Sequence, residues 1–555
     1  MTSARLHWSL FAVAVTVSTV VVAAAFNPVP HTGGDNAGYI SLAHGLLTTG
    51  SYTDVFDPEG LPHTKYPPVF PGILAVLIGF GARSWVALKL TAVVSTITAV
   101  GLTYLLAARS LGAVAGLAVA LVFALSSAVV YYSHWILSDP VFMALTLAGL
   151  LALRRADEDG ARGVWLVVGV AAAGMAFFTR SAGLPLVLAL LGWLAFRRRW
   201  GALGTASALV GLPMLLWWLR GRAPGVAQYG AEFWMVDPYQ PALGSVGVLG
   251  LIPRLAANAG AYVLNHGPAG VFGADGPFLA PLGIVLGLAA LAGWGLLVRE
   301  RLGPVEIFLP LYTGLILLWP EVWSGDRFAL PLYPLVFLYG AVALREARGR
   351  LPEFAGNAVA AIVFLSLFLP AATNWVDGVR TASTCASISE ERGSWACYGP
   401  QVGYFVSAAA WTARGLPDGS AVLSRKPRHF YLLSGHPSRA FPFNEDPVAH
   451  LALADSLGAR YVLLDRWDGL AGRYVGAAVR GNPGAFCYVG GFGPAEEGGS
   501  QLLGILPLEA RRAQGPGDGG GIQLAPCPSG YSLSTAVNAG YTPSGRIPLL
   551  ETLDS

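Results

Sequence analysis

The 555-residue sequence predicts an α-helical polytopic membrane protein: a bundle of about eleven transmembrane helices with an interfacial helix region in its first outer loop, then a C-terminal extracytoplasmic α/β domain. Three observations predict this class. Hydrophobic residues make up 54% of the chain and charged residues 12%, too few charges to cover a water-exposed surface of this size. Apolar segments long enough to cross roughly 30 Å of hydrocarbon recur from the N-terminus to about residue 376 and then stop. Arginine clusters also fall on alternate connections between those segments.

The same composition excludes other classes. A net charge of +3, dispersed along the chain, leaves no electrostatic footprint for nucleic acid, so none is expected as a partner. Abundant Leu, Ile, Val and aromatic residues exclude a disordered chain.

The predicted spans are 6–26, 85–107, 111–131, 138–153, 163–180, 182–196, 201–220, 276–298, 304–323, 327–344 and 355–375. Segment 67–82 (PPVFPGILAVLIGFGA) is apolar, but it is short and opens with prolines. Charge decides its fate. If it does not cross, Arg109, Arg154, Arg155, Arg162, Arg197 to Arg199, Arg299, Arg301, Arg345, Arg348 and Arg350 all face the cytoplasm with Arg5, as the positive-inside rule asks. It is therefore read as an interfacial or re-entrant helix. The first span could instead be a cleaved signal peptide, given its basic start and Ala23-Ala24-Ala25.

This topology gives a multi-pass protein of the cell membrane with a cytoplasmic N-terminus. A transmembrane domain, 1–376, carries long outer loops at 27–84 and 221–275, and an extracytoplasmic domain covers 377–555. Cys385, Cys397, Cys487 and Cys527 all lie in that last part, which suits an oxidising compartment. The sequence-local pairing is Cys385–Cys397 with Cys487–Cys527; four reduced buried thiols are the alternative. AVLSR, RAFPF and ARYVLLD read as short buried strands, and DPVAHLALADSLG as a helix opened by Asp-Pro and closed by Gly. The run GPGDGGG at 515–521 reads as a flexible loop.

Charges near an apolar span persist where a cavity or a function supports them. In this topology Asp35, Lys65, Asp139, Arg180, Glu321, Asp326 and Arg327 all reach the outer rim. Asp35, in GGDNAGY, stands ahead of an amphipathic stretch where partial shielding from water would suit a general base, though capping of the following helix is the structural alternative. Asp139, beside Pro140, is open to the same two readings. Lys65, Arg180 and Arg327 are singly membrane-interface anchors; together they could cradle a phosphate. The Trp and Tyr residues at span ends read first as an aromatic belt. No His spacing supports a metal site, and a divalent cation could supplement or replace the three basic residues.

Five segments, GGDNAGYISLAHGLLTTGSY, KYPPVFPGIL, SHWILSDPVFMALTL, TRSAGLPLVLALL and DRFALPLYPLVFL, together resemble the polyprenyl-phosphate-sugar-dependent glycosyltransferases of the GT-C fold, the group that includes protein O-mannosyltransferases and lipid A aminoarabinose transferases. Asn36 stands where that group often has a second acidic residue, and Tyr66 separates Lys65 from the paired prolines. The resemblance covers roughly residues 6–376. It implies an inverting hexosyl- or pentosyltransferase of the plasma membrane, serving the cell envelope. Such an enzyme moves a sugar from a polyprenyl-phosphate donor in the bilayer to a hydroxyl of an acceptor protein, glycolipid or glycan. Asp35 and Asp139 would be catalytic, with Asp35 the base. Lys65, Arg180 and Arg327 would hold the phosphate, and Tyr66, Glu321 and Asp326 would contact sugar or acceptor. The competing readings are a transporter or flippase for a lipid-linked sugar and a non-catalytic scaffold. A transporter asks for polar groups at mid-span, where the predicted spans carry almost none.

Overall fold

The structure is a computed structural model that describes residues 3–160, 163–222, 229–240, 243–273, 279–511, 524–533 and 545–554. The glycine run 515–521 lies outside the described residues. The chain divides into two compact units. The first comprises Met1–Phe26, Thr64–Phe70 and Lys89–Ser383, and the second Asn27–His63, Pro71–Leu88 and Thr384–Ser555.

Each of the eleven predicted spans contains a helix: Ser3–Ala24, Trp85–Leu111, Ala113–Leu125, Ser138–Glu158, Val164–Thr179, Leu184–Phe196, Trp200–Arg220, Ala280–Glu300, Pro304–Leu318, Tyr333–Arg348 and Glu353–Arg392. Five of these helices are long and apolar enough to cross a membrane on length and composition alone. Several open with proline in the first turn, where its missing N–H costs nothing. Packing without a hydrophobic driving force needs close backbone approach. At Gly293 a Cβ would lie 1.9 Å from the Tyr339 carbonyl oxygen, so Ala280–Glu300 and Tyr333–Arg348 meet backbone to backbone and only glycine fits.

Helix Ser138–Glu158 shows how this unit handles charge. Asp157, near its end, is buried and takes Arg197 at 2.8 Å, Arg301 at 2.5 Å and the Trp193 indole N–H at 2.9 Å. Asp139 lies at the other end, about 27 Å away at 1.5 Å per residue, close to the thickness of the hydrocarbon.

Three elements depart from the sequence reading. The last span does not stop at 375: its helix runs 40 residues, Glu353–Arg392, because 376–392 holds no proline, and it ends at Gly393 with φ +96°. The second outer loop is largely helical, with Tyr229–Phe233 and a continuous run over 251–272. That run widens into a π-turn at Tyr262–His266, immediately before Pro268, whose ring cannot donate to the ladder. In segment 67–82 only Val69–Gly79 is helical, 11 residues or about 16 Å, half of what a crossing requires.

The second unit holds a five-stranded sheet: β1 Val422–Leu423, β2 Ser438–Arg439, β3 Tyr461–Leu464, β4 Phe486–Phe492 and β5 Ser500–Ile505, in the order β2-β1-β3-β5-β4. The first three are parallel; β5 runs antiparallel to β3 and to β4. The strand expected in RAFPF is displaced to Ser438–Arg439, since Pro442 cannot join a ladder, and Phe441 is instead packed into the core. Helix Pro447–Leu457 opens as expected on Asp446, whose carboxylate accepts from the Val448 N–H at 2.9 Å, and closes at Gly458 with φ +63°. Cys385 pairs with Cys397 and Cys487 with Cys527. The latter pins 524–533 beside β4, where Tyr488 N–H donates to the Ala525 carbonyl at 2.8 Å. The part of the first outer loop over Asn27–His63 belongs to this unit: the Ser438 N–H donates to the Phe56 carbonyl at 2.7 Å and Arg439 binds Asp57 and Glu59, which covers the β2 edge.

Asp465 follows β3, with its side chain buried and one oxygen accepting from the Trp467 N–H at 2.9 Å. Burial, reinforced by Asp468 and opposed by that hydrogen bond, Arg425 and Lys426, pushes its pKa up to about 6. The folded state therefore holds the proton more tightly than the unfolded chain does. Below about pH 4 both states are protonated and nothing is lost; the cost builds as pH rises toward 6 and is complete above it. Asp465→Asn in the full chain is expected to stabilise the second unit by about 1–3 kcal/mol at pH 7.5 and to bring no gain at pH 4, measured by hydrogen exchange of the β3 amides.

Candidate functional site

Three local turns assemble a charged cluster in the first unit. Leu137 is extended and is the N-cap of Ser138–Glu158, so Asp139 falls in the first turn rather than at the cap, where its charge favours the positive end of the helix dipole. Arg180 ends Val164–Thr179 in extended conformation, and the chain reverses through Ser181–Gly183. Gly183 is required there, since a Cβ would meet the Phe177 nitrogen at 2.5 Å. Arg327 stands on the short 3-10 turn Asp326–Ala329.

The three side chains converge. The Asp139 Oδ2 lies 2.7 Å from Arg180 Nη1 and 2.8 Å from Arg327 Nη2, with the carboxylate buried and both guanidiniums partly buried. Arg180 also donates to Ser138 Oγ at 3.3 Å and stacks near the Phe328 ring, 5.5 Å from its centroid. Asp326 accepts from the Tyr132 hydroxyl at 3.1 Å and from the Arg327 N–H at 2.8 Å. A guanidinium carries five N–H donors, so binding Asp139 through one terminal nitrogen does not exhaust it. Two guanidiniums fixed by one carboxylate are held side by side, the planar donor arrangement that suits an anion. The same arrangement disfavours a metal, because a cation at Asp139 would compete with both arginines. No group of three His, Cys, Asp or Glu side chains suited to a metal occurs among the described residues.

The remaining expected residues are placed elsewhere. Lys65 pairs with Glu232 at 2.5 Å and lies 5.8 Å from the Tyr229 ring centroid, within an aromatic group in which Tyr229 packs on Trp319 and Trp323. Tyr66 is half-buried and Glu321 is exposed, in electrostatic reach of Arg254. Asp35 belongs to the second unit. Gly33, not Asp35, is the N-cap of helix Gly34–Thr48; Asp35 sits in its first turn, 3.8 Å from Arg428 Nη1. Gly38 makes room for that arginine: a Cβ there would meet Arg428 Nη1 at 3.0 Å.

Sequence reasoning missed Arg428, Ser138 and the Tyr132 contact to Asp326. Arg428 stands 393 positions after Asp35 in the chain, and nothing in PRHF marks it. Tyr132 was legible only as a member of the aromatic belt.

Asp139→Ala is expected to leave two partly buried guanidiniums without their shared carboxylate. The loss is about 3 kcal/mol in urea unfolding of the detergent-solubilised chain. Asp139→Asn, which keeps an acceptor but not the charge, should lose less.

Comparison with known proteins bears on the fold. A family model described as dolichyl-phosphate-mannose-protein mannosyltransferase matches residues 65–218, a segment that includes Lys65, Asp139 and Arg180. No curated protein sequence matches the chain. Among solved structures, the oligosaccharyltransferase AglB from Archaeoglobus fulgidus, in complex with an inhibitory peptide and a dolichol-phosphate, is similar at 13% identity and a TM-score of 0.55, over 88% of this chain and 74% of that one. ArnT from Cupriavidus metallidurans, bound to undecaprenyl phosphate, is similar at 14% identity and a TM-score of 0.52, over 90% of this chain and 98% of that one. A further structure of the Archaeoglobus fulgidus oligosaccharyltransferase is a complex with Zn and sulfate. With its helical membrane unit and the sheet-bearing unit that completes it, the chain has the GT-C fold.

Proposed function

We propose that this protein is a membrane glycosyltransferase that moves a hexosyl or pentosyl group from a polyprenyl-phosphate carrier to an acceptor hydroxyl on the extracytoplasmic face, with inversion. The observation that carries the reading is the pair of arginines locked on Asp139. The GT-C fold and the matched segment 65–218 support the donor class. The two disulfides support an oxidising compartment for the second unit, and the distribution of arginines supports an N-terminus in the cytoplasm.

In this reaction the acceptor oxygen bonds to the anomeric carbon as the bond from that carbon to the phosphate oxygen breaks. The electron pair leaves with the polyprenyl phosphate, whose charge rises from one negative to two. Arg180 and Arg327 act on that change: fixed donors bind a dianion more tightly than the diester, so they lower the barrier rather than only the ground state. Asp139 is a positioning residue that keeps both guanidiniums in one orientation. Lys65, with Glu232 beside it, is the third candidate for the donor phosphate. Asp35 is the candidate base that accepts the proton of the acceptor hydroxyl, with Arg428 orienting its carboxylate. Tyr66, Glu321 and Asp326 remain candidates for sugar or acceptor contacts.

The test is transfer of label from polyprenyl-phosphate sugars by the purified chain in lipid vesicles. Arg327→Ala should lower kcat by about 10²-fold or more, with Asp35→Asn comparably slow. Label that stays on every donor offered, yet crosses the bilayer, would replace the transferase with a lipid-linked-sugar transporter. Equal turnover by wild type and Asp35→Asn would remove Asp35 from the mechanism.

A further inference from the structure

One part of the second outer segment, read from sequence as a long outer loop, buries its one charge and exposes its apolar side chains. Over 243–264 the chain carries a single charged residue, Arg254. It is only 4% exposed, and its guanidinium donates to the Phe233 carbonyl at 2.7 Å and the Met235 carbonyl at 2.6 Å. One turn later Asn258, 1% exposed, donates to the Leu317 carbonyl at 2.9 Å and the Trp319 carbonyl at 2.8 Å, satisfying the open end of helix Pro304–Leu318. Arg254 and Asn258 therefore face protein, while Ser245 and Asn265, near the two ends of the segment, are exposed. The apolar side chains face out: Val248 is 73% exposed, Leu249 81% and Ile252 67%, with Leu243, Leu255 and Leu264 also exposed.

A helix in water buries its apolar stripe and exposes its charges. The reverse order is stable where the surroundings are hydrocarbon, because an outward charge is costly there and an outward leucine is not. The exposed face is also continuous with a span. At Gly283 in Ala280–Glu300 a Cβ would meet the Val263 carbonyl at 2.3 Å and Pro268 Cγ at 2.9 Å, so the 251–272 helix lies directly against that span, whose Val285 and Leu288 are themselves exposed.

We infer that residues 243–264 are immersed in the acyl region of the bilayer, with the tip at Val248 and Leu249 in contact with lipid chains. The occupant of the outward face is lipid hydrocarbon. The same helix is tied to the site's own segment: Gly325 N–H approaches the Tyr262 hydroxyl at 3.4 Å, and the Tyr333 hydroxyl donates to the carbonyls of His266 and Asp326, each at 3.4 Å. The immersed helix thus holds the turn carrying Asp326 and Arg327 at a fixed distance from the hydrocarbon. This inference does not depend on the proposed reaction.

The test uses the full chain in phosphatidylcholine vesicles with single cysteines introduced as Leu249→Cys and, separately, Ile252→Cys, each labelled with bimane. Glu445→Cys, on the exposed surface of the second unit, is the aqueous control. Nitroxide carried on acyl chains is expected to quench bimane at 249 and 252 at least about three-fold more than at 445, and a water-soluble iodide quencher to show the opposite order. Equal acyl-chain quenching at 249, 252 and 445, with iodide reaching all three alike, would overturn the inference. Both test positions lie on an exposed surface, so neither change removes core packing, and a result from either position decides.

Discussion

An unpaired charge in hydrocarbon costs several kcal/mol, and the first unit is organised around avoiding that cost. Helix Ser138–Glu158 carries a carboxylate at each end, and each carboxylate holds two arginines drawn from other parts of the chain. The two knots are alike in composition but not in surroundings. Asp157 is additionally bound by Trp193 and ties neighbouring helix ends together. Asp139 lies beside a second carboxylate, Asp326, which is held by a tyrosine hydroxyl and by the backbone. Ionic clustering alone therefore does not mark a site. The Asp157 knot likewise has a carboxylate beside it, Glu306, held by Arg154 and the Gly303 N–H. The Asp139 knot is singled out as the candidate by its place at the end of the helix that the sequence reading puts on the outer rim.

The same economy governs the polar groups of the backbone. Asn258 and Arg254 spend their donors on carbonyls that helix ends and turns leave open, which leaves the outer surface of their helix largely apolar. In the second unit arginines serve a different purpose: Arg439 binds Asp57 and Glu59 across a sheet edge, and Arg428 lies along helix Gly34–Thr48 next to Asp35.

Much of the membrane unit was legible because hydrocarbon imposes a length and a composition that a sequence cannot hide. The helical segments and the short helix after Pro67-Pro68 follow from that. What failed to show did so for identifiable reasons. The span ending at 375 continues to Arg392 because hydropathy falls where the hydrocarbon should end, whereas helix propensity does not. The helix over 251–272 was hidden by its polarity: Arg254, Asn258, Asn265 and His266 among apolar residues read as loop when polar groups are assumed to face water. β4 and β5 carry glycines that blur the alternation of a strand, and the register shift between Tyr488 and Gly490 blurs it further. At the site, Asp139, Arg180 and Arg327 could be named one at a time, but their union on one carboxylate depends on helix packing that no local pattern encodes. Asp35 was named without Arg428, for the same reason.

The second unit draws residues from both ends of the chain: Arg439 reaches Asp57, 382 positions earlier, and the His429 ring approaches the His31 carbonyl at 2.9 Å. During synthesis the segment 27–63 leaves the ribosome long before its partners exist, and it must wait, incompletely packed, until the whole membrane portion has been inserted. A truncation that removes the C-terminal portion thus does more than delete one region. It strands an early one, which makes quality control of this protein sensitive to residues such as His429 and Arg439, synthesised long after the segment they hold.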